Sequence, residues 1–441
     1  MRRQLWKTGA LLAIIAGLAF PIRAQDTDTE DRPKMRAPFD PSAPLFKQVD
    51  GSIARAMKYL LSRQNDDGSF GGERSVDHRV GTTALVGLAL LNCGQSHQSP
   101  QLVKAIAYLK KTKITGIHQT YAYSLRAAFY SQLPEPVRKT ELPADLRWLI
   151  AAAIQKGNLK GLYGYQQAGE PAGLPDLSNA QYGVLGVWYA ALAGLEVPTS
   201  YWRNVEESWQ GAQNRDGGWG YLADDRRSYG SMTAAGAATL FITNDYLHAG
   251  KQKDLSKPTV NDELDRAIAW LGRHYNVEHN PGRDQPLDRT GEAEDEGKAK
   301  NKTKDRGDVD DNIMGGLEGI LNGLGMGEGV RGFRGNWFVH YMLFAYERVG
   351  EASGLTRFGQ TKWFDRGARF LIRTQDYNGS WSGSMAGAEC DTSWSLLFLS
   401  LCLSSNYKEE FPVRSRDESS LDCLCFAEGK CIWRYSFLQF S

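Results

Sequence analysis

The pattern Arg/Lys-Ala/Gly-x-x-aromatic-Leu recurs along this chain, and twice it runs on into Gln-x-x-x-Gly-Ser-aromatic. The first full copy is Arg55-Ala56-Met57-Lys58-Tyr59-Leu60, followed by Gln64 and Gly68-Ser69-Phe70. The last is Arg366-Gly367-Ala368-Arg369-Phe370-Leu371, followed by Gln375 and Gly379-Ser380-Trp381. A middle copy keeps Gln213 and Gly217-Gly218-Trp219. Self-similarity of this kind constrains architecture before any local propensity does, because a repeat unit buries its apolar face only against its neighbours.

Degenerate copies fill the gaps. Lys104-Ala105-Ile106-Ala107-Tyr108-Leu109 has Lys113 where the Gln stands, Arg266-Ala267-Ile268-Ala269-Trp270-Leu271 has Tyr275, and a looser copy surrounds Trp148-Leu149. After each copy comes a loop and then an apolar, small-residue run: 82–91, 121–130, 180–193, 233–246, 337–349 and 392–401. This predicts helix, turn, helix, six times. A ring of such pairs leaves no unprotected end.

These motifs resemble the Gln-Trp repeats of the prenyltransferase and squalene-oxidase repeat group, which includes squalene–hopene cyclases. The resemblance covers roughly residues 50–400. It implies an all-α fold, an α/α toroid of six helical hairpins of the terpenoid cyclase and protein prenyltransferase kind. That fold hosts cyclases, prenyltransferases, lyases and binding proteins, so function has to be argued from the site. In each motif the Gln is expected to cap free backbone groups at a helix end. The Gly allows the tight turn, and the aromatic ring packs on the neighbouring repeat.

The termini read differently. Arg2, Arg3 and Lys7 precede an apolar stretch from Gly9 to Phe20, the pattern of an export signal over residues 1–24. The stretch is too short for a spanning helix. Arg2-Arg3 faintly resembles a twin-arginine signal. Residues 25–49 read as a disordered leader, charged and Pro-rich through 45. The expected location is therefore outside the cytoplasm, in the periplasm or cell envelope. Among 52 basic and 51 acidic residues, loss of the signal removes four bases and no acids, leaving a net charge of about −3. With no basic patch, nucleic acid is excluded as a partner. An apolar or polymeric small ligand and association with a membrane surface remain as expectations.

Two segments break the period. Arg266 to Arg366 spans 100 residues, which predicts a long insertion over 276–335, before the fifth inner helix. It carries a mixed-charge run from Glu292 to Lys304, then Asp308-Val309-Asp310-Asp311, then a Gly-rich stretch. After residue 400 the repeat stops. The atypical tail, 401–441, holds four of the six cysteines (Cys402, Cys423, Cys425 and Cys431) at spacings that match no usual zinc site. No cofactor or metal motif is legible.

If the fold is a toroid, polar residues near the inner-helix N-termini line its mouth, where free N–H groups also point. Those are Asp77, His78, His118, Tyr121, Asp176, Asn179, Thr233, Asn336, His340 and Asp391. Each taken alone reads first as a helix cap. As a ring they form a polar-mouthed, aromatic-walled site.

The resemblance also implies a chemistry. Squalene–hopene cyclases carry an Asp-x-Asp-Asp motif whose middle residue protonates an alkene. By match, Asp310 is the acid, and Asp308 and Asp311 support it. Clustered carboxylates share protons, which keeps one of them neutral. Aromatic residues such as Tyr182, Trp188, Trp337, Tyr341 and Trp394 would stabilise a carbocation. Three features depart from the family. Asn312-Ile313-Met314 follows the motif rather than Thr-Ala and an apolar helix, the chain has room for one toroid rather than two domains, and it carries an export signal. Other signatures are missing: no Gly-Cys-x-Glu-Gln thioester sequence, no phosphate loop and no nucleophile elbow. The leading expectation is an exported, cyclase-like toroid that binds a ligand or partner. Terpene cyclisation and a polysaccharide lyase or hydrolase, using sets such as His118 with Tyr121 and Tyr123 or His340 with Tyr341, are the alternatives.

Overall fold

The structure is a computed structural model that describes residues 44–170, 173–248, 261–282 and 338–403. Among them are twelve α-helices of two alternating kinds. The helices α1 (Leu45–Ser62), α3 (Pro100–Lys111), α5 (Glu135–Ala152), α7 (Thr199–Ala212), α9 (Asp262–His274) and α11 (Trp363–Thr374) each bury one face. In α1 that face is Val49, Ile53, Ala56 and Leu60, a helical stripe with polar residues around it. The helices α2 (Val76–Asn92), α4 (Gln119–Ser131), α6 (Leu177–Leu192), α8 (Gly230–His248), α10 (Val339–Ser353) and α12 (Ala388–Ser400) are buried almost all round. In α6 every residue from Asn179 to Ala190 is buried. A helix apolar on all sides has to be enclosed, so these form the inner layer.

The inner helices pack in one succession: α2 on α4, α4 on α6, α6 on α8, α8 on α10, α10 on α12, and α12 back on α2. The amphipathic helices cover them from outside. A two-stranded hairpin, β1 (Arg357–Phe358) and β2 (Thr361–Lys362), joins α10 to α11. No helix among the described residues is long and apolar enough to cross a membrane.

The repeat motif explains the register of the outer layer. Gln64 Nε2 donates to the Gly68 carbonyl of its own turn and to the Gln101 carbonyl in the first turn of α3. Gln213 bonds Gly217 and Glu263 of α9 in the same way. Gln375 bonds Gly379 and Ser52 of α1, so the last turn is tied to the first helix. The Gln therefore locks its own turn to the next outer helix; it does not cap its own helix. The turn glycine follows the same rule. Gly217 has φ +94°, and a Cβ there would stand 2.6 Å from the Arg266 carbonyl oxygen on α9.

The motif aromatic does the capping. Trp219 Nε1 donates to the Trp209 carbonyl near the end of α7, and Trp381 Nε1 to Leu371 near the end of α11. The Trp219 ring lies against Gly236 of α8, the inner helix of its own hairpin and not a neighbouring repeat. Its backbone N–H donates to Thr233 Oγ1, as Phe70 does to Thr83 and Trp381 to Thr392.

Two boundaries differ from expectation. Helix α1 begins at Leu45 and buries Val49, so the last residues assigned to the leader belong to the fold; the apolar stripe starts at Val49. The start of the insertion is also structural. Asn280 is fully buried, its Oδ1 accepts the Ser231 N–H and its Nδ2 donates to Ser231 Oγ, while the Pro281 carbonyl accepts the Gly230 N–H. These residues satisfy the first N–H groups of α8. The signal segment, the rest of the insertion and the tail after 403 lie outside the described residues.

Candidate functional site

The N-terminal turns of the inner helices meet at one end of the ring. There, Asp77 on α2 is buried, and its Oδ1 accepts the His78 N–H at 2.9 Å while its Oδ2 accepts the His118 N–H. The His118 ring keeps Nδ1 3.5 Å from Asp77 Oδ2. Burial alone would raise the Asp77 carboxyl, but hydrogen bonds from His118 and Ser75 hold it well below the usual range. A buried carboxylate beside an imidazole favours the orientation and tautomer that turn an N–H toward it.

His78 is in a different state. Arg74 Nη1 stands 2.9 Å from its Nε2, and a guanidinium only donates, so Nε2 accepts and the proton sits on Nδ1. Nδ1 faces Thr82 Oγ1 at 3.3 Å, whose hydroxyl is 3.5 Å from Cys390 Sγ. Burial, then Arg74 and His118, lower His78 to about 4, which keeps it neutral. Burial pushes the Cys390 thiol up to about 12 and makes it a poor nucleophile.

A run of aromatic rings continues from His118. Tyr165 meets it edge-on at 5.5 Å, Tyr121 meets Tyr165 at 5.8 Å, and Tyr182 meets Tyr121 at 4.9 Å. Tyr341 stacks on Tyr182 at 6.0 Å and meets Trp394 at 5.6 Å. Hydroxyls link the rings: Tyr121 donates to Ser178 Oγ, Tyr341 donates to Gln181 Oε1, and Tyr165 and Tyr221 pair at 3.3 Å.

These contacts cross the ring. Helices α6 and α12 stand opposite each other in the inner succession, yet Trp394 Nε1 donates to Tyr182 OH at 3.1 Å. At the other end Arg348 of α10 donates to Tyr189 OH of α6 at 3.0 Å, passing α8. Between the two levels Gln181, Leu185 and Trp188, one stripe of α6, keep only 5%, 6% and 7% exposure. The interior is narrow, and the protein's own aromatic rings occupy its upper part.

Asp176 caps α6. Its carboxylate accepts the Asn179 N–H at 2.8 Å and the Asn179 Nδ2 at 2.7 Å. Burial pushes this carboxyl up to about 6, against hydrogen bonds from Asn179, Tyr221 and the Ser178 N–H. Asp391 ties the loop before α12, accepting from Ser384 N and Oγ, and His340 Nδ1 lies 3.5 Å from it. Thr233 departs from its expected place. It is fully buried in the repeat motif, holding the Trp219 N–H, and does not line the mouth. Tyr123, named with His118 in the lyase alternative, instead stacks on Trp148 at 4.0 Å. Asp308, Asp310, Asp311 and Asn336 lie outside the described residues.

Sequence reasoning missed Arg74, Tyr165 and Tyr221, because none sits on an inner helix. The signal was present in the aromatic turns Gly161-Leu162-Tyr163-Gly164-Tyr165 and Trp219-Gly220-Tyr221. Among the described residues no group of three His, Cys, Asp or Glu side chains is placed to hold a metal.

A family description, the A-macroglobulin TED domain, matches residues 41–177, less than half of the chain. The only cysteine in that span is Cys93, which is not part of a thioester sequence. No curated protein matches the chain. Solved structures to which the chain is similar include the type II terpene cyclase MstE from Scytonema in its apo form. It is 14% identical, with 81% of this chain and 99% of that chain covered, at a TM-score of 0.44. A variant of the same enzyme with geranylgeranyl dihydroxybenzoate bound has 14% identity, the same coverage and a TM-score of 0.45.

Proposed function

We propose that this chain is an exported α/α toroid of six helical hairpins, of terpenoid-cyclase type, that binds a ligand at the mouth of the ring. It works in the periplasm or cell envelope, with its first 24 residues removed as a signal. The observation that carries this reading is the direct Trp394–Tyr182 hydrogen bond between opposite helices. An enzyme that folds a long apolar chain inside a toroid needs the interior free. Here the rings meet, and what stays accessible is the rim: His78, His118, Tyr121, Tyr165 and Ser178 are all only partly buried. Aromatic faces with hydroxyls between them suit a ligand with an apolar or sugar-ring body and hydrogen-bonding substituents.

Mass spectrometry of extracts from the purified chain tests this. A compound that co-purifies with the wild type and is lost from a Tyr165→Ala, His118→Ala double variant supports the reading. Repeated extracts without any such compound overturn it.

A further inference from the structure

The rim residues differ in what they have left to bind. Arg74 is exposed and spends Nη1 on two acceptors, the Met385 carbonyl at 3.0 Å and His78 Nε2 at 2.9 Å. No carboxylate among the described residues pairs with it. Of the nearby acids, Asp77 accepts from His118, Asp391 accepts from Ser384 and lies beside His340, and Glu389 pairs with Arg63 through Oε1, while its Oε2 and Arg74 Nη2 both flank Gly387. Arg74 therefore stands as an anchored fork with donors to spare, the geometry that recognises a carboxylate.

The two histidines beside it have separate roles. The Arg74 contact holds the His78 lone pair, so His78 is no base. His118 Nδ1 lies 3.5 Å from the buried Asp77 carboxylate; in the tautomer with its proton on Nδ1, Nε2 on the far edge of the ring carries the lone pair. The His78 and His118 rings are 6.5 Å apart, and Tyr165 lies 5.5 Å beyond His118 with its phenol on Tyr221. A cation for a carboxylate, an oriented imidazole and a phenol thus follow one another along the rim.

We propose that Arg74, His118 and Tyr165 form a site that cleaves a uronic-acid-containing glycan by β-elimination. This rests on the reading of the mouth as a ligand site and adds a substrate class and a reaction to it. Arg74 binds the uronate carboxylate and stabilises the enolate character that develops there. His118 Nε2 takes the proton from C5, and that electron pair forms the C4=C5 double bond. The C4–O bond breaks, and the leaving oxygen takes the Tyr165 phenol proton. His118 then returns its proton to Tyr165 through solvent. No water is consumed, and no oxidant or metal is needed.

The test incubates the full mature chain with polygalacturonate, alginate and hyaluronan and follows the ultraviolet absorbance of the conjugated unsaturated uronate. Retardation in gels containing each polymer reports binding separately. The expected result is an absorbance rise with at least one polymer. His118→Gln should lower kcat by about 10²–10⁴-fold with little change in retardation. Tyr165→Phe should lower kcat in the same way, and Arg74→Ala should both raise KM and lower kcat. A carboxyl-reduced polymer should give no absorbance. Matching melting temperatures establish that the variants are folded. Retardation without an absorbance rise overturns the elimination chemistry and leaves the ligand site standing, as does full turnover by folded His118→Gln. Neither retardation nor absorbance with all three polymers overturns this proposal. If no compound co-purifies either, the ligand site falls with it.

Discussion

Trp394 Nε1 donates to Tyr182 OH at 3.1 Å, joining two helices that face each other across the ring. Both side chains are almost fully buried. The bond acts as a strut, because neither helix touches the other elsewhere through more than a few residues. Trp394→Phe removes the donor and should cost about 1–2 kcal/mol. Trp394→Ala also leaves a cavity and should cost about 3–5 kcal/mol. Urea unfolding midpoints check both values. The Ala variant should also admit an apolar fluorescent dye that the wild type excludes.

One buried side chain ties the last turn to the first helix at several points. Gln375 is fully buried, and besides its two carbonyl acceptors its Oε1 accepts from Ser52 Oγ and Arg55. Gln375→Ala leaves several buried partners unsatisfied and should cost about 2–4 kcal/mol. Gln64→Ala, at a half-buried turn with two bonds, should cost about half as much. Denaturant titrations of the two variants give the comparison.

Gly217 and Gly72 both have positive φ, +94° and +62°, but differ in surroundings. A Cβ at Gly217 meets the α9 backbone, whereas one at Gly72 meets nothing within 4 Å. Gly72→Ala should therefore cost only the backbone strain, about 1 kcal/mol, and Gly217→Ala about 2–4 kcal/mol. Equal melting temperatures for the two variants would show that the contact with α9 is not what makes the glycine necessary.

The far end of the ring carries a pH-dependent weakness. Glu347 is fully enclosed, and burial raises its carboxyl well above the usual range, offset in part by Arg348 at 3.0 Å and reinforced by Glu351. A carboxyl raised in the folded state favours folding below its unfolded value of about 4.3 and loses that contribution as pH rises. Glu347→Gln cannot ionise. It should be more stable than the wild type at pH 8, and its melting temperature should fall less between pH 5 and 8. Calorimetry at both pH values reads the difference.

The cyclase alternative makes a separate prediction. If Asp310 starts cyclisation by protonating an alkene, Asp310→Asn abolishes product formation from squalene and leaves the melting temperature unchanged. Turnover of squalene by the folded variant removes Asp310 from that role.

Local chemistry was enough to read the helices. The stripe Val49, Ile53, Ala56 and Leu60 has helical period, and the Ala- and Gly-rich runs such as Gly230–Thr243 are apolar on every side. Outer and inner helices can therefore be told apart before any coordinates. Gln213 with Gly217-Gly218-Trp219 marks a turn because only a few residue types suit its backbone and its polar groups. Those signals lie within about twenty residues of one another. The pairings that make the site do not. Trp394 and Tyr182 are 212 positions apart, and Thr82 and Cys390 are 308 apart. The sequence by itself determined the outer and inner helices among the described residues and the turns between them, because periodicity and turn geometry are local. Only the tertiary structure decided that the interior is bridged, that His118 meets Tyr165 and not Tyr123, and that Thr233 serves the repeat and not the mouth. The first two depend on which hairpins the fold packs together, which no local pattern records; the third is a contact over only 14 positions, where the fold alone shows that the Thr233 hydroxyl takes the Trp219 N–H.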